Sequence, residues 1–534
     1  MNITSINTPE ITNTKLILLV SSFLMIFGNI SFFSNVVDVY PINFKNSLFI
    51  ISLLIVFGGS LILLLALICH KHTIKPILIT TLIVSSSVSY FMDSYNVVID
   101  DSMIRNLVNT NMAESLDLVS LKMILYVLFL GVAPSLLIYK VNIVSHGIKR
   151  QILSTIKLSL LSLTSIILII VIFGNFYASF FREHKSLRYY ANPSFYIYSS
   201  IKYINSLTVR NNQPLILLGT DAITPVTDAD RELVIFVLGE TARADRFSLN
   251  GYQRETNPLL KKEDVISFSN FWSCGTSTAD SVPCIFSILN KDDYSVSEAN
   301  KSENLIDVLS HAKVNELWLD NNSDSKGVAL RIRHMDYRTP ANNPVCDIEC
   351  RDEGMLANLQ TYINEHDKGD IFIVLHQMGN HGPAYYKRYT KEFEIFIPTC
   401  NTNQLEDCSK EEIDNTYDNA ILYTDYFLSK VINLLKDNDE NFETAMLYVS
   451  DHGESLGENG IYLHGMPKFI APDAQLHVPA IMWFGSGFND PEIANLHNKK
   501  NNLYSHDNIF HTILGLMEME TSTYNKQMDI VHVN

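Results

Sequence analysis

The run Leu233-Val234-Ile235-Phe236-Val237-Leu238-Gly239-Glu240 decides the fold of the larger part of this chain. Its six consecutive apolar residues include β-branched Val234, Ile235 and Val237 and show no two-residue alternation. Such a run reads as a strand covered on both faces, as in parallel sheets. The segments 371–375 and 445–449 repeat the pattern, and 316–319 and 478–483 are weaker versions of it. Helical patterns fall near 303–311, 352–366, 411–436 and 507–518. The alternation predicts an α/β/α sandwich around a mostly parallel sheet over residues 231–534.

Polar residues follow the three clearest strands at once. Glu240 follows the first, His376 and His381 the second, Asp451 and His452 the third. In open α/β sheets ligands gather at the carboxyl ends of the strands. Singly, each residue has a plain structural reading. Glu240 suits a helix N-terminus, where the dipole favours acids, and an Asp-His pair in a turn is often structural. Together with His464, and with glycines alongside that permit close approach, they fit the donor set of a zinc site. His334, His366 and His477 lack such a context and read as structural.

Between the first and second of these strands lies Ser273-Cys274-Gly275-Thr276-Ser277-Thr278-Ala279-Asp280-Ser281-Val282-Pro283-Cys284. Thr278 opens a helix expected to run to Ile288. A hydroxyl at that position is either a cap, shared with Ser277, or a nucleophile activated by the helix dipole and a metal. The flanking cysteines favour the second reading, since a staple around a mere cap has little use. Downstream, the polar turn 321–327 offers Lys326 as a cation for a phosphate oxygen, or is an ordinary turn.

The chain has 534 residues, 47% of them hydrophobic, and a net charge of -17 from 57 acids and 40 bases. That acidity argues against nucleic acid as a partner, while phosphate chemistry stays open because a metal can supply the positive charge. Apolar segments over 16–34, 48–69, 75–92, 121–139 and 156–177 are each long enough to span a bilayer. Ser85-Ser86-Ser87 dilutes the third. Lys71, Lys75, Lys140, Lys149, Arg150 and Lys157 fall in or beside the two loops on one side, which predicts an internal N-terminus and an external soluble part. Six of seven cysteines lie beyond residue 270, in the close pairs 274/284, 346/350 and 400/408, with no CxxC spacing. They read as disulfides in an oxidising compartment, which agrees with that orientation. The expected divisions are a five-helix membrane domain over 1–180, an aromatic interfacial connector over 181–230 and a soluble domain over 231–534. Within the loop 93–120, Asn106, Thr110 and Glu114 recur every four residues and would share one face of a helix. That face is either merely solvated or receives a cationic amine.

With these residues in view, the chain resembles the lipid A phosphoethanolamine transferases, the family that includes the mobile colistin-resistance enzymes, within the alkaline phosphatase and sulfatase superfamily. The resemblance is carried by Gly-Glu-Thr-Ala-Arg-Ala-Asp at 239–245, Ser-Cys-Gly-Thr-Ser-Thr-Ala at 273–279, Ser-Val-Pro-Cys at 281–284, Asp-Asn-Asn-Ser-Asp-Ser-Lys-Gly-Val at 320–328, His-Gly-Pro at 381–383, Ser-Asp-His-Gly-Glu-Ser-Leu-Gly-Glu-Asn-Gly at 450–460 and Leu-His-Gly at 463–465. It implies that Thr278 carries phosphoethanolamine transiently. It implies Glu240, Thr278, Asp451 and His452 as zinc ligands, with His381 and His464 at the phosphoryl group or a second zinc. Asn322 and Lys326 would line the substrate pocket, and Asn106, Thr110 and Glu114 would hold the ethanolamine head. Cys346 and Cys350 enclose a shorter loop than in some members, and Asp280 stands where some have an aromatic residue, placing a charge beside the path of an anionic substrate. The implied reaction moves phosphoethanolamine from phosphatidylethanolamine to a lipid A phosphate, with resistance to polymyxin, colistin and other cationic peptides as its consequence. A monomer in the Gram-negative inner membrane with a periplasmic catalytic domain is expected. The alternatives are a core-sugar acceptor of lipopolysaccharide, glycerol phosphate transfer as in lipoteichoic acid synthases, or a non-catalytic lipid sensor.

Overall fold

A computed structural model of the chain describes residues 10–110, 112–144, 147–182, 184–209, 215–225, 230–488 and 491–532. It divides into two compact units, Met1–Ile104 with Val119–Lys202 and Arg105–Leu118 with Tyr203–Asn534. The stretch 105–118, which falls inside the 1–180 boundary read from sequence, therefore packs with the second unit.

The first unit is helical. Helices α1 (Asn13–Phe27), α2 (Ile30–Val39), α3 (Phe44–Ile68) and α4 (Ile74–Tyr95) come first. In the chain the short helices α5 (Asp101–Asn109) and α6 (Met112–Asp117) follow, of which α6 and α5 from Arg105 on belong to the second unit, and then α7 (Leu121–Lys140) and α8 (Ile148–Ile172) of the first. Among the described residues, four helices are long and apolar enough to cross a membrane, or five if α1 and α2, bent by 55°, form one span. Asn29 sits at the bend: its side-chain amide donates to Leu24 O, which also accepts from Gly28 N, at 2.9 Å and to Asn192 O at 2.7 Å, so a side chain satisfies the carbonyls at the helix end. The serines that dilute α4 serve close packing. A Cβ on Gly131 of α7 would stand 2.5 Å from Ser86 Oγ, and small residues let helices approach in a bilayer.

The single helix face expected for Asn106, Thr110 and Glu114 is corrected: the backbone breaks into α5 and α6. Thr110 Oγ1 donates to Asn106 O at 2.7 Å, a side-chain bond that competes with helix continuation. The side chain of Glu114 lies outside the described residues.

The second unit is built on an eight-stranded sheet. Its strands are β1 (Glu232–Gly239), β2 (Ile266–Trp272), β3 (Asn315–Asp320), β4 (Arg333–Asp336), β5 (Ile371–His376), β6 (Glu443–Ser450), β7 (His477–Phe484) and β8 (Tyr504–Ser505), in the order β8-β2-β7-β6-β1-β5-β3-β4. Only β7 runs against its neighbours β6 and β2; the other pairs are parallel. Strand β1 is central and wholly buried, as its unbroken apolar run requires. Its register sets Gly239 beside Ser450 and Leu238 beside His376. Because β7 reverses twice, β2 regains the direction of β1 and β6. The loops after β1, β2, β3, β5, β6 and β8 therefore all leave the same edge of the sheet. Expected strands and helices match closely, while β2, β4 and β8 are additions. The long helix Lys410–Lys436 starts on a capping box of Ser409 and Glu412.

Candidate active site

At that common edge Glu240, Thr278, Asp451 and His452 meet, all buried. Thr278 is the first residue of α9 (Thr278–Ile285), which Ser277 precedes without a side-chain cap bond. The helix stops three residues short of the expected Ile288. Thr278 Oγ1 lies 3.1 Å from Glu240 Oε2 and 3.4 Å from His452 Nε2. His452 Nε2 is also 3.4 Å from Glu240 Oε1 and from Asp451 Oδ2. For metal bonds near 2.0–2.1 Å a tetrahedron has edges of about 3.3 Å, so these spacings suit one small cation. Two further features fit. Asp451 Oδ2 is buried without a hydrogen-bond partner. His452 Nδ1–H donates to Gly453 O at 2.9 Å, which fixes the tautomer with Nε2 as the donor atom. One neutral nitrogen and carboxylate and hydroxyl oxygens could thus hold a divalent metal.

Electrostatics report the same crowding. Burial would raise the Glu240 carboxyl, but the His452 hydrogen bond and the charges of His452, His381 and His464 hold it well below the usual range. Asp451 is pushed up to about 7 by burial and the Glu240 charge. Burial lowers His452, yet Asp451 and Glu240 carry it to about 10. His464 falls to about 3 through burial and repulsion from His452.

The other expected residues separate into two groups. The rings of His464 and His452 are 4.3 Å apart and those of His464 and His381 5.5 Å apart, so both histidines border the cluster. Asn322 joins it as a support. Its amide nitrogen donates to Glu240 Oε2 and to Gln377 O, each at 2.7 Å, so it orients the carboxylate. Lys326 instead folds back on its own turn, donating to Ser323 O and Oγ at 2.8 and 2.6 Å. His376 is not one of the grouped ligands; its Nδ1 pairs with Asp320 Oδ2 at 2.9 Å beneath the edge. Arg105 meets Asp280 Oδ1 at 2.5 Å, so the carboxylate in the first turn of α9 is neutralised.

Several supports had no role assigned from sequence. Thr241 sits at φ 56°, donates from N to Asp451 Oδ1 and from Oγ1 to Glu240 Oε1, and is held by Tyr417. Glu454, buried, faces His464 Nδ1 at 3.3 Å. His506 links Cys274 N at 3.1 Å to Ser450 O at 3.0 Å, tying the loop before Thr278 to the end of the strand before Asp451. Gly379 was legible as a glycine but not for its reason: at φ +52° its Cβ would stand 2.8 Å from Glu240 O. Disulfides join Cys274 to Cys284, Cys346 to Cys350 and Cys400 to Cys408. Opening Cys400–Cys408 by Cys408→Ser should lower stability by about 2–3 kcal/mol in denaturant titration of the chain; an unchanged midpoint would mean the loop is held by packing alone.

Residues 232–519 match the Sulfatase family and residues 58–207 the family described as Phosphoethanolamine transferase EptA/EptB. The chain is 43% identical to phosphatidylethanolamine transferase Mcr-2 of Escherichia coli, with 94% of each chain covered. It is 39% identical to phosphoethanolamine transferase EptA of Escherichia coli K12, over 98% of this chain and 97% of that one. Its structure superposes on the integral membrane lipooligosaccharide phosphoethanolamine transferase A of Neisseria meningitidis with a TM-score of 0.94 and 36% identity, covering 98% and 99% of the two chains. A buried metal-type cluster around a helix-initial threonine, on a sulfatase sheet preceded by apolar spans, and likeness along nearly the whole length lead to one conclusion: this chain belongs to the membrane-bound phosphoethanolamine transferases.

Proposed function

We propose that this enzyme transfers phosphoethanolamine from phosphatidylethanolamine to a lipid A phosphate through a phosphothreonine at Thr278. The observation that carries the reading is Thr278 Oγ1, buried within 3.1 Å of Glu240 and 3.4 Å of His452. A cap would need no such company. The donor set favours zinc, held by Glu240, Thr278, Asp451 and His452. Bound there, the metal supplies positive charge that stabilises the threonine alkoxide and the charge gathering on phosphorus.

The chain's own residues do the rest. Asn322 and Thr241 fix Glu240. Thr278 Oγ1 bonds to phosphorus as the bond from phosphorus to the glycerol oxygen breaks, and diacylglycerol leaves with one proton. A lipid A phosphate oxygen then attacks the same phosphorus and the Oγ1–P bond breaks, which restores the hydroxyl with a proton. His381 and His464 border the space for the phosphoryl oxygens, and Lys326 would have to leave Ser323 to join them. Asn106, Thr110 and Glu114 would receive the ethanolamine ammonium. The functional division is five spans within 1–180, a connector over 181–230 and a periplasmic catalytic domain over 231–534. The protein would sit in the inner membrane of a Gram-negative cell as a monomer.

Lipid A from a polymyxin-sensitive host expressing the chain should gain a phosphoethanolamine mass increment, and the host should become resistant. Lipid A without the increment, from cells containing the inserted protein, would overturn the acceptor assignment. The pair Arg105–Asp280 gives a further expectation. Arg105→Ala would remove the cation that faces Asp280, two residues past the nucleophile, and kcat/KM should fall about tenfold. Asp280→Asn in that background should restore most of it; additive losses would mean that the pair does not act on substrate charge.

A further inference from the structure

Within the helical unit, a small recess opens between the start of α1, the end of α3 and the start of α8. Lys71 and Arg150 line it, with Thr12, Thr14, Gln151 and Ser154; the Thr14 and Ser154 hydroxyls bond each other at 2.8 Å and Thr12 Oγ1 accepts from Lys15 N. Among the described residues no acid lines the recess. The N-terminus of α1, capped by Thr12, faces this end of the unit, so the helix dipole adds to the two cations. Beside it is a second, wider space of about 430 Å3 between the same three helices. Leu158 borders both. The wider space is opened by the small residues Ser21, Ser22, Gly58, Gly59, Ser162 and Ser165 and walled by leucine, isoleucine and methionine.

The register of the two spaces is shared. On α1 the lining moves from Thr14 to Ile26, on α3 from Ala66 back to Leu54 with Lys71 in the turn beyond its end, and on α8 from Arg150 to Ser165. The twelve helical steps from Thr14 to Ile26 span roughly 18 Å, enough for much of an acyl chain. A cationic head end that shares Leu158 with a neighbouring apolar trough suits the two parts of a phospholipid. The two cations select net negative charge over the zwitterionic headgroup that the transferase consumes, whose ammonium they would repel. The head end lies at the start of α8, whose 25 residues run roughly 37 Å to Ile172 before the chain goes on to the second unit. Every residue that lines either space belongs to the helical unit.

We infer that the recess at Lys71 and Arg150, with the trough beside it, binds one anionic phospholipid, its phosphate on the two cations and one acyl chain between α1, α3 and α8. Basic pockets between membrane helices commonly take such lipids. The full chain, purified in detergent and stripped of lipid, would be exposed in native mass spectrometry to dioleoyl phosphatidylglycerol, phosphatidylethanolamine or phosphatidylcholine. Phosphatidylglycerol should be retained at least tenfold more than either zwitterionic lipid. Lys71→Gln with Arg150→Gln should abolish that preference, and Ser162→Leu, which fills the trough and leaves the head end untouched, should reduce retention on its own. Equal retention of the three lipids, or full retention by both variants, would overturn the proposal. So would inorganic phosphate displacing the bound lipid no better from wild type than from the double variant.

Discussion

Thr278→Ala should abolish phosphoethanolamine transfer, with turnover reduced by at least about four orders of magnitude, the scale seen when a covalent nucleophile is removed. The protein should still fold. The change deletes one methyl and one hydroxyl from a buried site, worth about 1 kcal/mol of apolar burial. Cys274–Cys284 and the α9 backbone remain to hold the loop. Thr278→Ser should keep measurable turnover, because the hydroxyl stays within reach of Glu240 and His452. The readout is release of diacylglycerol from phosphatidylethanolamine, followed by trapping of phosphoethanolamine on the protein by mass spectrometry. Wild type should carry the adduct on the peptide containing Thr278 and the alanine variant should carry none. An adduct elsewhere, or full turnover by the alanine variant, would remove Thr278 from the reaction.

The second large effect concerns the metal. Chelation should stop turnover and added zinc should restore it. Glu240→Gln should weaken metal binding by more than about 100-fold. Asn322→Ala, which only frees Glu240, should do so by roughly 10–100-fold, as outer partners of metal ligands do. Metal content after dialysis, read by mass spectrometry of the element, separates the three proteins. The pH dependence has a definite sign. Without metal, His452 holds a proton up to about pH 10 and Asp451 up to about pH 7. A metal must displace these protons, so its affinity should fall as pH falls. The slope should be about tenfold per pH unit between 7 and 10, where one proton is displaced, and steeper below 7, where a second is. Calorimetry in buffers of different ionisation enthalpy counts the protons. Affinity independent of pH would mean that the cation does not bind to these two groups.

Much of the catalytic edge was legible before any coordinate. An unbroken apolar run marks a strand buried on both faces, and a polar residue straight after it must lie at the sheet's rim. That logic placed Glu240, Asp451 and His452 correctly beside one another, since Gly239 pairs with Ser450 in register. It failed for His376, which ends a strand as the others do but spends its Nδ1 on Asp320. It was silent on β2, whose sequence Ile-Ser-Phe-Ser-Asn-Phe-Trp has polar residues interleaved because the strand sits toward the sheet's margin. The spacing of Asn106, Thr110 and Glu114 promised one helix, and a single threonine hydroxyl turned back on the backbone accompanies the break.

By itself, then, the sequence determined the composition of each layer. Runs of 18 or more apolar residues can be satisfied only in lipid or a large core, and continuous β-branched segments only inside a parallel sheet, because burial of apolar surface is nearly independent of partner. Partner choice was left to the tertiary structure. The reversal of β7 carries Thr278 to the edge that holds Glu240. His506 joins the nucleophile loop to Ser450, and Asn322 gives its amide to Glu240 instead of to a substrate. Hydrogen bonds and metal-type contacts are directional and act over about 3 Å, so residues far apart in the chain can be matched only once the backbone has brought them within that distance.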